Sequence, residues 1–283
     1  MVGIAGSKYP IEGGFTIQHK IIERALSLPS KQRVISLPRA LVMDNSIDPR
    51  AKALYLSLIA HKPSSIRELA ACASMNRSVV SKLIYSLVKT GWVIIHETPH
   101  KRILIPTQPP EIQKAHLDYV RESGKMSPRS GENKMNLMLA LMVDVSPCIY
   151  NARPWFLQNP KSKEFLEYDR FDPEAMRAWE FDGRQHYEVT RDFPDENNFK
   201  QIQGRDVLKA RLSRENGVTL ITLTAEDLTL ENMLNKIPED VPIKLIDIDG
   251  IYAKGLEQMC LQYIAYYERA RARDERFYKP GRT

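Results

Sequence analysis

Several features that mark particular classes of protein are missing from this chain. Its 283 residues include three cysteines without a C-x-x-C spacing, so neither a disulfide framework nor a structural zinc site is indicated. The six histidines show no zinc-ligand spacing either. We therefore expect Cys72, Cys148 and Cys260 to be small buried side chains.

Long apolar runs are absent as well. No stretch of about 18 or more apolar residues could form a membrane-spanning helix, and the N-terminus lacks the apolar core of a signal peptide. We expect a soluble, cytoplasmic protein without membrane contact. Because 43% of the 283 residues are hydrophobic, two domains of ordinary size could each bury a core.

Charge is distributed unevenly along the chain. Residues 1–110 hold 15 Lys and Arg against 6 Asp and Glu, a surplus of +9 within a net charge of +6. Residues 111–283 hold 26 against 29, a balance of −3. A basic segment suits the binding of a polyanion, and an acidic one is compatible with metal-binding carboxylates.

Three predicted helices and a predicted hairpin follow one another within residues 33–110. The first helix starts at Asp48, the second is capped by Ser65, and the third ends at Gly91. Two short strands joined by a turn come next. This order predicts a winged helix-turn-helix, which residues 1–32 precede as an N-terminal arm or packing helix.

The third helix and the hairpin of this domain carry the side chains that would contact DNA. In such a fold, the N-terminal residues of the third helix meet base edges and phosphates. The predicted DNA-binding residues are Asn76, Arg77, Ser78, Ser81, Lys82, Lys101 and Arg102. The alternative is a winged helix that contacts protein.

The sequence TQPP at residues 107–110 interrupts both the helical and the strand periodicity and marks a domain boundary. Residues 111–130 are interpreted as a linker that contains a short helix and a flexible basic stretch. A second domain is expected over residues 131–283. It includes a predicted helix at 203–216, after a loop, and a long C-terminal helix at 251–278.

Acidic residues collect on two neighbouring predicted strands between Glu164 and Gly183. A turn at Pro173 joins the strands, and bulky apolar side chains alternate with acidic ones in both. Asp169 on the first strand can face Glu180 on the second. Neighbouring carboxylates repel unless a proton or a divalent cation lies between them, so this pattern indicates a magnesium site.

At these residues the chain resembles the PD-(D/E)XK nucleases of the restriction-endonuclease fold, in the branch related to very short patch repair endonucleases. The resemblance covers residues 128–228. The matching residues are Asp169, then Glu180, Asp182, Gly183, Gln185 and His186 in E-x-D-G-x-Q-H, then Asp206 and Lys209 in D-x-x-K, and Gly217 to Ile221 in G-V-T-L-I. Asp182 occupies the place of the family's lysine, and Lys209 is interpreted as its migrated replacement.

This resemblance implies an α/β nuclease domain with a mixed central sheet, within a chain of α+β or α/β class. It also implies hydrolysis of phosphodiester bonds in DNA with Mg²⁺, for which Mn²⁺ can substitute. The implied metal ligands are Asp169, Glu180, the main-chain carbonyl of Phe181, and Glu132. The implied catalytic residues are Asp169, Glu180, Lys209, Gln185 and His186. Three of these residues have an alternative: Glu132 could complement a helix dipole, Lys209 could form a surface ion pair with Asp206, and His186 could be structural.

Two functions stay open at this point. The first is a bacterial or phage-encoded endonuclease that a winged helix directs to DNA. The second is a catalytically inactive nuclease fold that binds DNA as a transcription or replication regulator, which Asp182 at the lysine position keeps open. Further partners, a homodimer or other proteins of a mobile element or defence system, also stay open.

Overall fold

The computed structural model describes residues 16–32, 34–35, 37–98, 101–124, 130–183 and 196–278, with side chains undescribed at 196–203 and 274–278. In this part of the chain the protein is a mixed α+β structure, as predicted at that level. None of the helices described is long and apolar enough to cross a membrane.

The first half of the described chain consists mainly of helices. These are α1 (Ile17–Ser27), α2 (Arg39–Met43), α3 (Pro49–His61), α4 (Ile66–Cys72) and α5 (Arg77–Lys89). A short strand, β1 (Lys31–Gln32), follows α1, and an antiparallel hairpin of β2 (Val93–Glu97) and β3 (Arg102–Pro106) follows α5. The three predicted helices and the hairpin are therefore present in the predicted order.

Side-chain hydrogen bonds explain where two of these helices begin. The Asp48 carboxylate accepts from the Arg50 N–H at 2.8 Å, and the Ser65 hydroxyl accepts from the Glu68 N–H at 3.1 Å. Glu68 in turn accepts from the Ser64 N–H at 2.7 Å. These bonds satisfy N–H groups that have no acceptor within the helix.

The second half builds a mixed sheet flanked by helices. Its helices are α6 (Pro110–Gly124), α7 (Ser130–Met142), α8 (Glu196–Glu215), α9 (Leu230–Lys236) and α10 (Ile251–Tyr278). Its strands are β4 (Val145–Ser146), β5 (Ile149–Ala152), β6 (Tyr168–Asp172), β7 (Arg177–Phe181) and β8 (Thr219–Leu223). Strands β5, β6 and β7 are antiparallel neighbours, β8 runs parallel to β7, and β4 pairs with β1. The acidic strands predicted around Pro173 are β6 and β7.

Two hydrophobic cores meet at strand β3. Leu104 is buried in the core of α3, α4 and α5, whereas Ile103 and Ile105 are buried in a larger core with α1, α7, α9 and α10. Helix α6 also packs on α10, where His116 stacks on Tyr252 at a centroid distance of 4.4 Å. The two parts of the chain thus share a core across residue 110, while their division into domains stays a prediction.

Two local predictions are wrong. Helix α8 begins at Glu196 and not at Gln203, since residues 196–203 contain no proline or glycine and extend the helix without an apolar period. Cys72 is exposed at the end of α4 and Cys148 is partly exposed, so only Cys260 is buried as expected.

Candidate functional site

A cleft of about 1280 Å³ opens beside strands β6 and β7. Residues from α7, β6, β7, α8 and α10 line it, together with the segment 153–167. The predicted site residues in its lining are Glu132, Asp169, Glu180, Phe181, Asp206 and Lys209. Side chains predicted on four separate elements therefore meet in one place.

The register of β6 and β7 brings the two central acids together. Arg170 lies opposite Trp179, so Asp169 and Glu180 continue the register as the next pair on one face of the sheet. The Asp169 carboxylate also accepts a hydrogen bond from the Phe181 N–H at 2.7 Å. This bond holds Asp169 at the edge of β7, beside Glu180.

A buried polar network keeps these strands in that register. The Asp172 carboxylate accepts from Arg170 Nε at 2.9 Å and from Trp179 Nε1 at 2.8 Å. All three residues are buried. Because Arg170 and Trp179 are partners across the strands and share one carboxylate, slipping the register would break both bonds at once.

Glu180 and Lys209 form a buried ion pair inside the cleft. Lys209 Nζ lies 2.7 Å from Glu180 Oε2, and the side chains are 13% and 11% exposed. The other oxygen, Glu180 Oε1, is buried and has no hydrogen-bond partner in the part of the chain described. A buried acceptor without a donor is costly, and a cation bound there would compensate that cost.

Burial raises the pKa of Glu180 to about 8 from an ordinary value of 4.5. Lys209 opposes this rise, whereas the charges of Asp169 and Asp182 add to it. Even with Lys209 beside it, the carboxylate form of Glu180 therefore competes with the protonated form near neutral pH, and a bound divalent cation would favour the carboxylate.

A chain of hydrogen bonds through the buried Ser213 positions the turn of α8 that carries Lys209. The Ser213 hydroxyl donates to the Lys209 carbonyl at 2.7 Å, and Tyr168 Oη lies 2.5 Å from Ser213 Oγ. Since the one hydroxyl proton of Ser213 goes to Lys209, Tyr168 must donate to Ser213. This chain ties α8 to β6 and fixes Lys209 relative to the sheet.

Gly131 allows the start of α7 to approach the site. A Cβ atom there would lie 2.1 Å from the Phe181 ring and 2.6 Å from the Tyr263 hydroxyl oxygen. Because no side chain fits in that space, glycine lets the next residue, Glu132, line the cleft. Glu132 lies in the first turn of α7, which suits both the metal-ligand role and the helix-dipole role.

Several side chains of the cleft were missed by sequence reasoning. Trp155 is 80% exposed and Tyr266 is 64% exposed, and the basic side chains of Arg153 and Arg205 line the same cleft. Exposed aromatic rings beside basic groups suit the stacking of bases and the binding of phosphates. The aromatic pair Trp155-Phe156, outside any apolar period, was the one sequence signal for this surface.

A second groove, of about 570 Å³, lies between α4, the start of α5 and the β2–β3 hairpin. We call it the basic groove because Arg67, Arg77, Lys101 and Arg102 line it. Arg67 was not predicted as a contact residue. The remaining predicted DNA-binding residues are exposed on α5 or just before it, outside the lining: Asn76, Ser78, Ser81 and Lys82.

Two predictions about the cleft stay predictions: the roles of Gln185 and His186, and the metal site. Gln185 and His186 lie outside the described residues. Within the described ranges, no three His, Cys, Asp or Glu side chains are grouped as a metal site would require. Magnesium nevertheless often binds through one or two carboxylates together with substrate phosphates and water, so Asp169 and Glu180 remain chemically suitable.

Comparison with known proteins gives partial matches to viral proteins. No family model and no solved structure matches the chain. Uncharacterized protein 033L of Invertebrate iridescent virus 3 is 44% identical over 72 residues, which are 25% of this chain and 37% of that protein. Uncharacterized protein 307L of Invertebrate iridescent virus 6 is 34% identical over 126 residues, which are 39% of this chain and 64% of that protein. The chain thus spans less than two thirds of either relative, and the nuclease resemblance and the bacterial or phage origin stay predictions.

Proposed function

We propose that this protein is a magnesium-dependent endonuclease of the PD-(D/E)XK type, which hydrolyses phosphodiester bonds in DNA. One observation carries the proposal. Asp169, Glu180 and Lys209, assigned to one catalytic set from the sequence, line a single cleft, although Lys209 lies 29 residues from Glu180. Polar groups of opposite charge that converge in a cleft, with a strongly shifted pKa, are typical of catalytic sites.

The donor atoms in the cleft suit a hard divalent cation. The Asp169 and Glu180 carboxylates and the Phe181 carbonyl would hold Mg²⁺ or Mn²⁺, with Glu132 as a further ligand. The buried Glu180 Oε1 that lacks a hydrogen-bond partner supports this fit. When bound, the metal would polarise the scissile phosphate and promote attack by water in an in-line displacement.

Each polar residue of the cleft has a proposed role toward the substrate. Lys209 pairs with Glu180 in the free protein and would stabilise the negative charge that develops on the phosphate oxygens. Gln185 and His186, which follow β7 in the sequence, would contact the phosphate or orient the attacking water. Trp155 and Arg205 would contact the flanking nucleotides.

We propose that α3, α4, α5 and the hairpin act as a winged helix that delivers duplex DNA. Arg67, Arg77 and Lys101 would contact phosphates in the basic groove, and the exposed polar residues at the start of α5 would meet base edges. The +9 surplus of residues 1–110 supports this assignment.

A catalytically inactive DNA-binding regulator is the second candidate. Asp182 favours it, because the family has a lysine at this position. Both candidates predict DNA binding, and they differ in whether bound DNA is cut.

Plasmid cleavage with Mg²⁺, with Mn²⁺ and with EDTA tests the proposal. Asp169→Asn and Glu180→Gln should each lower the cleavage rate by about 10²-fold or more, because each removes a metal ligand. Gel-shift affinity in EDTA should not change. Asp118→Asn, in an exposed pair on α6, is the matched control and should cleave normally.

Cleavage that survives EDTA, or normal cleavage by both variants, would contradict the proposal. DNA binding by the wild-type protein without cleavage in either metal would favour the regulator.

A further inference from the structure

A cavity of about 610 Å³ lies between residues of the first half of the chain and residues of the second half. Helices α3 and α6 line one side of it, and β6, residues 140–148 and residues 244–253 line the other. We call it the junction cavity. It shares no lining residue with the cleft or the basic groove, and it contains three basic side chains, those of Lys62, Arg170 and Lys244.

Two of these cations have carboxylate partners, yet one keeps an unused donor. Lys62 Nζ lies 2.6 Å from Asp144 Oδ2, and Arg170 Nε donates to Asp172 at 2.9 Å. The Arg170 side chain is only 2% exposed, and its Nη1 has no hydrogen-bond partner in the described ranges. A buried guanidinium N–H without an acceptor is costly, and an anion would satisfy it.

Lys244 is the third cation and has no carboxylate partner of its own. Its Nζ donates to the Ala140 carbonyl at 2.7 Å, and none of the described carboxylates forms an ion pair with it. Burial lowers the pKa of Lys244; Asp144 and Cys148 oppose this, whereas Arg170 and Lys62 add to it. Asp144 is already paired with Lys62, so Lys244 and the unused donor of Arg170 give this end of the cavity two groups that suit an anion.

The remaining wall of the junction cavity offers little negative charge and a flat apolar surface. Its other carboxylate, Asp247, accepts from the Asp249 N–H at 3.1 Å. His116 and Tyr252 stack on each other at 4.4 Å with an interplanar angle of 11°, and Leu58 adds an aliphatic surface. The cavity therefore combines a cationic end with an aromatic and aliphatic wall.

We propose that the junction cavity binds a small phosphate ester of nucleotide size, with its phosphate on Arg170 and Lys244 and its ring against the apolar wall. The volume lies within the range usual for small-molecule sites, about 300–1,000 Å³. Guanidinium and ammonium groups together provide the charged donors that phosphate oxygens accept. The site does not depend on the proposed nuclease activity.

Calorimetric titration of the full chain in EDTA with AMP, ATP and inorganic phosphate tests this site. A nucleotide should bind saturably and raise Tm. Lys244→Met should weaken that binding by about tenfold or more, because it removes one charge-assisted contact. Lys244→Arg should retain binding, and Lys236→Met is the matched control, because this lysine is 45% exposed, pairs with Asp227 and does not line the junction cavity.

Arg77→Ala distinguishes binding in the junction cavity from binding in the basic groove. If the nucleotide binds in the junction cavity, this variant should leave its affinity unchanged. The proposal is overturned if neither nucleotide binds the wild-type protein. It is also overturned if a Lys244→Met protein with a normal circular dichroism spectrum binds as tightly as wild type, or if Arg77→Ala abolishes binding.

Discussion

The buried carboxyl group of Glu180 should make the stability of this protein fall as the pH rises. Its pKa is about 8 in the folded protein, against an ordinary value of 4.5. The folded state therefore binds this proton more tightly than the unfolded state does. The resulting contribution to the free energy of unfolding is complete below the unfolded pKa and is lost as the pH rises through the folded pKa.

The size of this effect follows from the two pKa values of Glu180. Between them, each pH unit removes about 1.4 kcal/mol. From about pH 5 to about pH 8, integration gives a loss of roughly 3–4 kcal/mol, which is a large fraction of the stability of a typical domain. Glu180→Gln has no such proton, so the difference between wild type and variant isolates this one group.

Urea unfolding of both proteins, followed by circular dichroism in EDTA at several pH values in this range, measures the difference. Wild type should lose roughly 3–4 kcal/mol relative to Glu180→Gln across the range. If the difference stays constant with pH, Glu180 titrates near its ordinary pKa and the burial argument is wrong. Saturating Mg²⁺ should flatten the pH dependence of wild type alone, since a cation replaces the proton; an unchanged slope would contradict the metal site.

Two further predictions concern Lys209 and the basic groove. Lys209→Ala should lower the rate of DNA cleavage by about 10²-fold with little change in magnesium affinity, whereas Arg211→Ala, in an exposed pair on the same helix, should have no effect. A silent Lys209→Ala together with a harmful Asp182→Ala would show that the replacement lysine was assigned wrongly. Arg77→Ala should reduce the slope of log affinity for duplex DNA against log salt by about one unit, and Lys89→Ala at the far end of α5 should leave it unchanged. Equal slopes for wild type and Arg77→Ala would indicate that this arginine contacts no phosphate.

The features that could be predicted from the sequence depend on residues that lie close together along the chain. Ser65 and Glu68 are three residues apart, so their capping contact is visible as a local pattern. The strands β6 and β7 alternate with a period of two around a proline turn, which also places Asp169 opposite Glu180. These patterns need no knowledge of how distant segments pack.

The features that escaped prediction depend on contacts between distant segments. No local pattern indicates that Tyr168 would donate to Ser213, which lies 45 residues away, and thereby fix the turn that holds Lys209. The exposure of Trp155 could not be predicted from the sequence either, because an aromatic residue usually indicates burial. The pKa of Glu180 likewise depends on burial that only tertiary packing creates.

Strand β3 connects the basic groove to the candidate active site. Arg102 lies in the groove, while the next residue, Ile103, and Ile105 are buried in the core that also contains Trp179, the neighbour of Glu180. A fragment cut at residue 110 would expose both isoleucines, at a cost of about 1.5–3 kcal/mol each. Loss of DNA binding by such a fragment would therefore reflect unfolding as readily as a missing contact. Substitutions at Arg77 in the full chain avoid this difficulty, because Arg77 is exposed and its removal leaves both cores intact.

The packing around β3 also holds the basic groove and the cleft in a fixed relation. We therefore expect DNA bound in the groove to meet the cleft at a constant distance along the duplex. This distance is measurable as a fixed spacing between the bound site and the cut.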